Sequence, residues 1–299
     1  MISIIIIVKN DISIENTLDK LRLVNGIKKS EIIVVDASSG LLNIIKMKFP
    51  EIKWINFINI TNKKITIPDQ RNLGIKRAKG NIIVFIDADC IPQSQWLKNL
   101  TKPIVCGKES ITAGRVISSP KSYMVSDRLK GTYVRECPSM NMAFNKEVFK
   151  IIGLFDENFE RASDTDICIR AANKGYKIRY IKDAIIWHNW GDLKNNITRS
   201  FYSGIGRANI YKKHINELFP NKIVTNSKNI YFMIYMLYII LLPITIIFPY
   251  YALLIFLPSL ILRRNPLKEL FNIIQALGLI IGLITLKRIA PNKNRPLSD

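Results

Sequence analysis

Short β-branched apolar runs alternate with stretches of helical spacing over the first part of the chain. Runs of strand length fall at 2–8, 31–35, 53–57 and 82–86, and helix-like spacing falls between them at 14–24, 40–48 and 69–79. Short apolar runs bounded by polar residues predict buried strands. Strand, helix and strand in repetition predict an α/β fold, a mostly parallel sheet with helices on both faces. The first run ends after eight residues at Lys9-Asn10-Asp11. It has no basic leader and no small-residue cleavage site, so it reads as a strand rather than a signal peptide.

Beyond residue 90 the pattern loosens. A helix is expected near 93–102, a strand near 111–117, a loop over 137–144, a turn at 153–157, a helix over 164–174 and strands over 177–187. Ser163 and Asp164 suit the start of that last helix. A basic, mixed helix is expected over 192–217. Residues 230–262 then run for 33 positions without Asp, Glu, Lys or Arg. That exceeds the roughly 18 residues that point to membrane insertion. Pro243, Pro249 and Pro258 interrupt the run, and a second apolar run covers Phe271–Leu286. Basic residues flank both runs on every side, which favours a cytoplasmic hairpin or re-entrant pair over a simple crossing. The expected division is therefore a domain at 1–218, with halves near 1–90 and 91–218, and membrane-associated helices with a basic tail at 219–299.

Composition sharpens this. Lys and Arg total 44 against 23 Asp and Glu, a net charge of +21, and mean hydropathy is +0.12. The imbalance favours phosphate-bearing partners. Much of it flanks the apolar runs, and no nucleic-acid motif accompanies it, so nucleic acid is not an expected partner. Cys90, Cys106, Cys137 and Cys168 form no C-x-x-C pair. That argues against a disulfide framework or a zinc ribbon and fits a reducing compartment.

In a parallel sheet, ligands gather at the carboxyl ends of the strands. Three such ends carry polar clusters: Lys9-Asn10, Asp36-Ala37-Ser38-Ser39 and Asp87-Ala88-Asp89. Asp87 and Asp89 can approach one hard cation, Mg²⁺ or Mn²⁺, although D-x-D alone also describes a solvated acidic loop. Asp36 can accept from a nucleobase N–H or a ribose hydroxyl, or it caps the next helix. Arg71 opens a helix within Asp69-Gln70-Arg71-Asn72-Leu73-Gly74; it can reach a diphosphate or lie on the helix face. Asp164, at another helix start, is stabilised as the anion and can take a proton from an acceptor hydroxyl; simple capping is the alternative. His188, one of two histidines, can complete an acidic metal site or serve as a packing residue.

Taken in order, these segments resemble the family 2 glycosyltransferases, which have the GT-A fold. The matching pieces are Ser3-Ile4-Ile5-Ile6 through Asn10, Ile33-Val34-Val35-Asp36-Ala37-Ser38-Ser39, Arg71-Asn72-x-Gly74 with Ala78-x-Gly80, and Ile86-Asp87-Ala88-Asp89. Asn141-Met142-Ala143-Phe144, Gly153-Leu154-Phe155-Asp156-Glu157 and Asp164-Thr165-Asp166 with Arg170 follow, so the likeness covers about residues 1–215. It implies that Asn10, Asp36 and Ser38 line a nucleotide pocket, Arg71 lies near the diphosphate and Asp87 near the ribose or sugar. It implies a divalent cation, Mn²⁺ or Mg²⁺, on Asp89 and His188 with Asp87 nearby, Asn141 and Asp166 at the donor sugar or acceptor, and Asp164 as catalytic base. The implied activity is inverting hexosyl transfer from a UDP- or GDP-sugar. With the apolar runs, it implies a membrane lipid phosphate or lipid-linked glycan acceptor, at the cell membrane with the catalytic domain cytoplasmic. Three departures matter. Ser163 stands where the family pattern has Glu, the strand-one Pro is replaced around Ile7-Val8-Lys9, and no Gln-x-x-Arg-Trp occurs. The last argues against a processive polysaccharide synthase. Two alternatives remain open: a GT-A-like nucleotidyltransferase, which usually carries a Gly-rich loop after strand one, and a non-catalytic, membrane-anchored nucleotide-sugar-binding protein.

Overall fold

The computed structural model describes residues 1–57, 65–118, 131–218, 235–237, 239–241 and 266–285. They form two compact units, Met1–Asn189 and Trp190–Asn292. In the first, nine strands make one sheet: β1 (Ile2–Val8), β2 (Ser30–Asp36), β3 (Lys53–Asn56), β4 (Ile82–Asp87), β5 (Cys90–Pro92), β6 (Ile111–Ser118), β7 (Tyr133–Val134), β8 (Met142–Asn145) and β9 (Ile178–His188). The order is β3-β2-β1-β4-β8-β6-β9-β5, with β7 paired to β9. Six helices belong to this unit: α1 (Ile14–Arg22), α2 (Asn43–Lys48), α3 (Ile67–Arg77), α4 (Trp96–Val105), α5 (Val148–Ile152) and α6 (Ser163–Asn173).

The β-branched run of β1 forms a strand because both its faces are covered; Ile4, Ile5 and Ile6 are buried. Ile14, Leu18 and Leu21 of α1 recur at helical spacing and are likewise buried, so that helix exists by burying one stripe. A reciprocal cap starts α3: Thr66 Oγ1 accepts from the Asp69 N–H, and the Asp69 carboxylate accepts from the Thr66 N–H. With Pro68 in the first turn, the helix entry is fixed.

Strand register decides what meets at the sheet edge. Val8 lies opposite Asp36, and Ile7 opposite Asp87, in parallel pairs. The polar clusters after β1, β2 and β4 therefore share one edge. The sheet turns mixed beyond β4: β8 is antiparallel to both β4 and β6, and β6 is parallel to β9. Two reversals restore the direction of β4, so β9 ends on that same edge and delivers His188 there.

Two expectations are corrected. The sequence predicts a loop over 137–144, yet Met142–Asn145 is a central strand, which makes the sheet mixed. Four residues buried mostly on both faces leave no alternation to read. The start of α6 also differs: neither Ser163 nor Asp164 caps it. Ala162 holds that place in a left-handed conformation, φ 64°.

The second unit contains α7 (Leu193–Leu218) and α8 (Pro266–Thr285). By compactness α7 groups with α8. These two helices approach through small residues. A Cβ on Gly204 would lie 2.0 Å from the Gln275 carbonyl, and one on Gly278 would lie 2.1 Å from that of Phe201. Among the basic side chains of α7, Arg199 donates to the Trp190 carbonyl and Lys212 to that of Gly282. The run Ile230–Leu262 lies almost wholly outside the described residues. Among the described residues, no helix is long and apolar enough to cross a membrane.

Candidate functional site

The strand ends build two adjoining clusters. The first joins the exit of β4 to the end of β9. The Asp89 carboxylate meets His188 Nε2 at 3.1 Å, and its other oxygen faces the Cys90 thiol at 3.9 Å. Potential ligand atoms of Asp89, Cys90 and His188 all lie within 4.8 Å of one another. An acid and an imidazole from distant parts of the chain thus converge as a pair able to hold a divalent cation. Burial, reinforced by Asp87 and Asp89, pushes the Cys90 thiol well above its usual range. A cleft of about 460 Å³ opens on this cluster, lined also by Asp11, Ser13, Asn16, Ile91, Trp187 and Asn189.

Asp87 does not join this group. Its carboxylate pairs with Arg71 at 3.2 Å. The structure thus places Asp87 beside Arg71 rather than within the Asp89–Cys90–His188 group. The physical reason is that Arg71 is buried, 5% exposed, and a buried guanidinium requires an anion. Its guanidinium carbon lies 5.5 Å from the Phe155 ring centre and 6.0 Å from that of Phe85. Asn72 fixes this arrangement by exchanging hydrogen bonds of 2.9 Å with the Phe155 backbone.

Arg71 also ties Asp87 to the second cluster. Burial raises the Asp164 carboxyl above its ordinary value; the Arg71 charge and the Thr165 N–H oppose this, and the Glu136 charge adds to it. Glu136 comes from the loop before β8, and it accepts a long 3.5 Å bond from Thr165 Oγ1. A second carboxylate therefore reaches Asp164 from a different element, although Ser163 stands where the family pattern has Glu. Asp87 and Asp89 are two residues apart, so their Cα atoms lie within about 7 Å of each other.

At the β1 and β2 exits, Asn10 takes the left-handed conformation, φ 54°. Its N–H donates to Ser38 Oγ at 2.7 Å, and the Ser38 N–H donates to Asp36 Oδ1 at 2.8 Å. The other Asp36 oxygen meets the Lys46 ammonium at 2.7 Å, which also donates to Asn56 Oδ1. Asn10, Asp36 and Ser38 are thus brought together as expected, with Lys46 covering the acid.

Asn141 and Asp166, expected at the donor sugar or acceptor, are placed in the interior. Asn141 is fully buried; its carbonyl accepts from Trp96 Nε1 at 2.8 Å, and its amide donates to the Arg115 and Ala184 carbonyls at 2.9 and 3.0 Å. It locks α4 to β6 and β9. Asp166 is also fully buried and pairs with Arg170 at 2.9 Å. Arg170 in turn holds the Ile152, Gly153 and Leu154 carbonyls. Asn141→Ala is expected to cost roughly 3 kcal/mol or more, since it strands three buried partners. Urea unfolding measures this; a loss under about 1 kcal/mol would return Asn141 to the ligand-contact reading.

Sequence reasoning missed Cys90, Glu136, Lys46 and the lining residues Asp11, Ser13, Asn16 and Trp187. None carries a linear signal except Cys90, which immediately follows Asp87-Ala88-Asp89.

Comparison with known proteins agrees with this geometry. Residues 3–154 match the family model described as Glycosyl transferase family 2. The chain is 22% identical over 168 residues to a pre-mycofactocin glycosyltransferase of Mycobacterium tuberculosis, covering 50% of this chain and 36% of that protein. It is 24% identical over 168 residues to the glycosyltransferase AglE of Haloferax volcanii, covering 50% and 55%. It thus spans about half or less of these relatives. A third, the glucosyl-dolichyl phosphate glucuronosyltransferase of Haloferax volcanii, is 21% identical over 67% of this chain and 71% of that one. Among solved structures, the mannosyltransferase PcManGT of Pyrobaculum calidifontis, in complex with GDP-Man and Mn²⁺, aligns with TM-score 0.68 and 16% identity over 95% of this chain and 87% of that one. TarS 1–349 of S. aureus, in complex with UDP-GlcNAc, aligns with TM-score 0.54 and 16% identity over 76% of each. These likenesses show a shared GT-A-like fold.

Proposed function

The chain belongs to glycosyl transferase family 2, and from that premise we propose that it transfers a sugar from a UDP- or GDP-linked donor to a membrane-associated acceptor, a lipid phosphate or lipid-linked glycan. The observation that carries the proposal is the meeting of Asp89 and His188 at 3.1 Å on the edge where the β1, β2 and β4 exits lie. Solved structures of the same fold hold GDP-Man with Mn²⁺ and UDP-GlcNAc. The acceptor reading takes support from the dolichyl phosphate in one relative's name and from the apolar run Ile230–Leu262. On this reading the catalytic unit works at the cytoplasmic face of a membrane.

Each residue then has a task. Asn10, Asp36 and Ser38 receive the nucleoside, with Lys46 moving off Asp36 or sharing it. Asp89 and His188 would hold a divalent cation, which would supply positive charge for the departing diphosphate. Arg71 fixes the Asp87 carboxylate toward the donor and keeps a positive charge near Asp164. Asp164 removes the acceptor hydroxyl proton as that oxygen attacks the anomeric carbon from the face opposite the leaving group, so configuration inverts.

A panel of UDP-, GDP- and dTDP-sugars with and without Mn²⁺ tests this. A UDP- or GDP-sugar together with Mn²⁺ is expected to raise the melting temperature, because a ligand of the native state stabilises it. The same mixture is expected to show metal-dependent sugar release. Stabilisation without any release would favour the non-catalytic binding reading; neither effect with any donor would overturn the proposal.

A further inference from the structure

We propose that Cys90 is a third ligand of the Asp89–His188 cluster, so that the protein binds a thiophilic divalent cation, zinc or cobalt, before any donor arrives. This rests on the reading of Asp89 and His188 as cation ligands and extends it to a residue outside the D-x-D pair. The geometry is specific. Cys90 is completely buried and lies directly opposite His188 across the antiparallel β5–β9 pair. Asp89 sits between them, one oxygen 3.1 Å from the imidazole nitrogen and the other 3.9 Å from sulfur. A tetrahedral zinc with one oxygen, one nitrogen and one sulfur ligand needs those atoms about 3.5 Å apart. Each Asp89 oxygen already lies within about half an ångström of that separation from one of the two partners, and one ligand atom from each of the three residues falls within 4.8 Å of the others. Small side-chain rotations therefore close the site.

Donor softness gives the consequence. Mg²⁺ takes oxygen ligands almost exclusively, and Mn²⁺ prefers them, so such a cation would lean on the donor phosphates. Zinc and cobalt accept thiolate. Carboxylate and thiolate together neutralise the cation, and the thiol proton passes to solvent on binding. Three protein ligands leave one tetrahedral position for a phosphate oxygen or water. The protein would then hold zinc or cobalt without donor, but manganese only with it.

The test uses the full chain carrying Cys106→Ser, because Cys106 is an exposed thiol. One equivalent of Co²⁺ without donor is expected to give a sulfur-to-cobalt charge-transfer band in the near ultraviolet, which Zn²⁺ erases. Cys90→Ser is expected to abolish the band and weaken zinc by at least about tenfold, since even outer partners of ligands cost 10–100-fold. X-ray absorption of the zinc-loaded Cys106→Ser protein needs no change at Cys90. It is expected to show a sulfur neighbour at about 2.3 Å. Oxygen and nitrogen neighbours alone, or an undiminished band in Cys90→Ser, would overturn the proposal. If Mn²⁺ still binds with donor in that case, the Asp89–His188 reading survives; if no cation binds under any condition, both fall.

Discussion

Asp164→Asn is expected to lower kcat for transfer to a hydroxyl acceptor by about 10²- to 10⁴-fold, the range that a positioned general base contributes. Donor binding should be nearly unchanged, because the carboxylate faces Arg71 and Glu136 rather than the Asp89 cluster. The pH profile gives the stricter check. Burial raises the Asp164 carboxyl, and the base works only when deprotonated. Activity is therefore present above that raised value and lost as pH falls through it, so the acid limb of kcat lies above the ordinary Asp value of about 3.9. Glu136 adds to the raising; Glu136→Gln removes a negative neighbour and should move the limb to lower pH. Arg71 opposes the raising, so its loss should move the limb to higher pH. Steady-state rates across pH with a saturating donor measure all three. A limb that stays put in Glu136→Gln would separate Glu136 from the base. A phosphate acceptor is already ionised, so with it Asp164→Asn should lose far less; a small loss there and a large one with a hydroxyl acceptor would identify the acceptor chemistry.

Asp89→Asn and His188→Ala are each expected to lower kcat/KM by roughly 10²–10³-fold, comparable with removing one preorganised group that stabilises transition-state charge. Their signature is distinct from that of Asp164. The Mn²⁺ concentration needed for half-maximal rate should rise steeply, and Mn²⁺ should no longer increase the donor's thermal stabilisation. His188 is 6% exposed at the end of β9, so His188→Gln, which keeps its bulk, controls for packing. Wild-type metal dependence in both Asp89→Asn and His188→Ala would remove the metal role from this pair.

Much of the sheet could be read in advance, because β1, β2 and β4 are β-branched runs whose burial on both faces writes itself into composition. Asp36, Asp87 and Asp89 could be placed at strand ends for the same reason: each follows such a run, and strands that run parallel end on one edge. β8 could not be read, since Met142–Asn145 offers four mostly buried residues and no period. That short strand matters out of proportion to its length. Its two antiparallel pairings return β6 and β9 to the direction of β4 and carry His188 to the site edge.

Local order along the chain, then, determined which residues could form strands, where polar groups follow them, and that acids and one imidazole were available for chemistry. Only the tertiary structure decided which of those groups meet. Asp87 went to Arg71 because a buried guanidinium must be neutralised. Asn141 and Asp166 were drawn into the core because three carbonyl or indole partners and one arginine needed them there. Cys90 and Glu136 entered the site through pairings across more than twenty residues of chain. Such pairings are set by strand register and by the cost of leaving buried polar groups unmet, and neither quantity exists until distant segments are packed together.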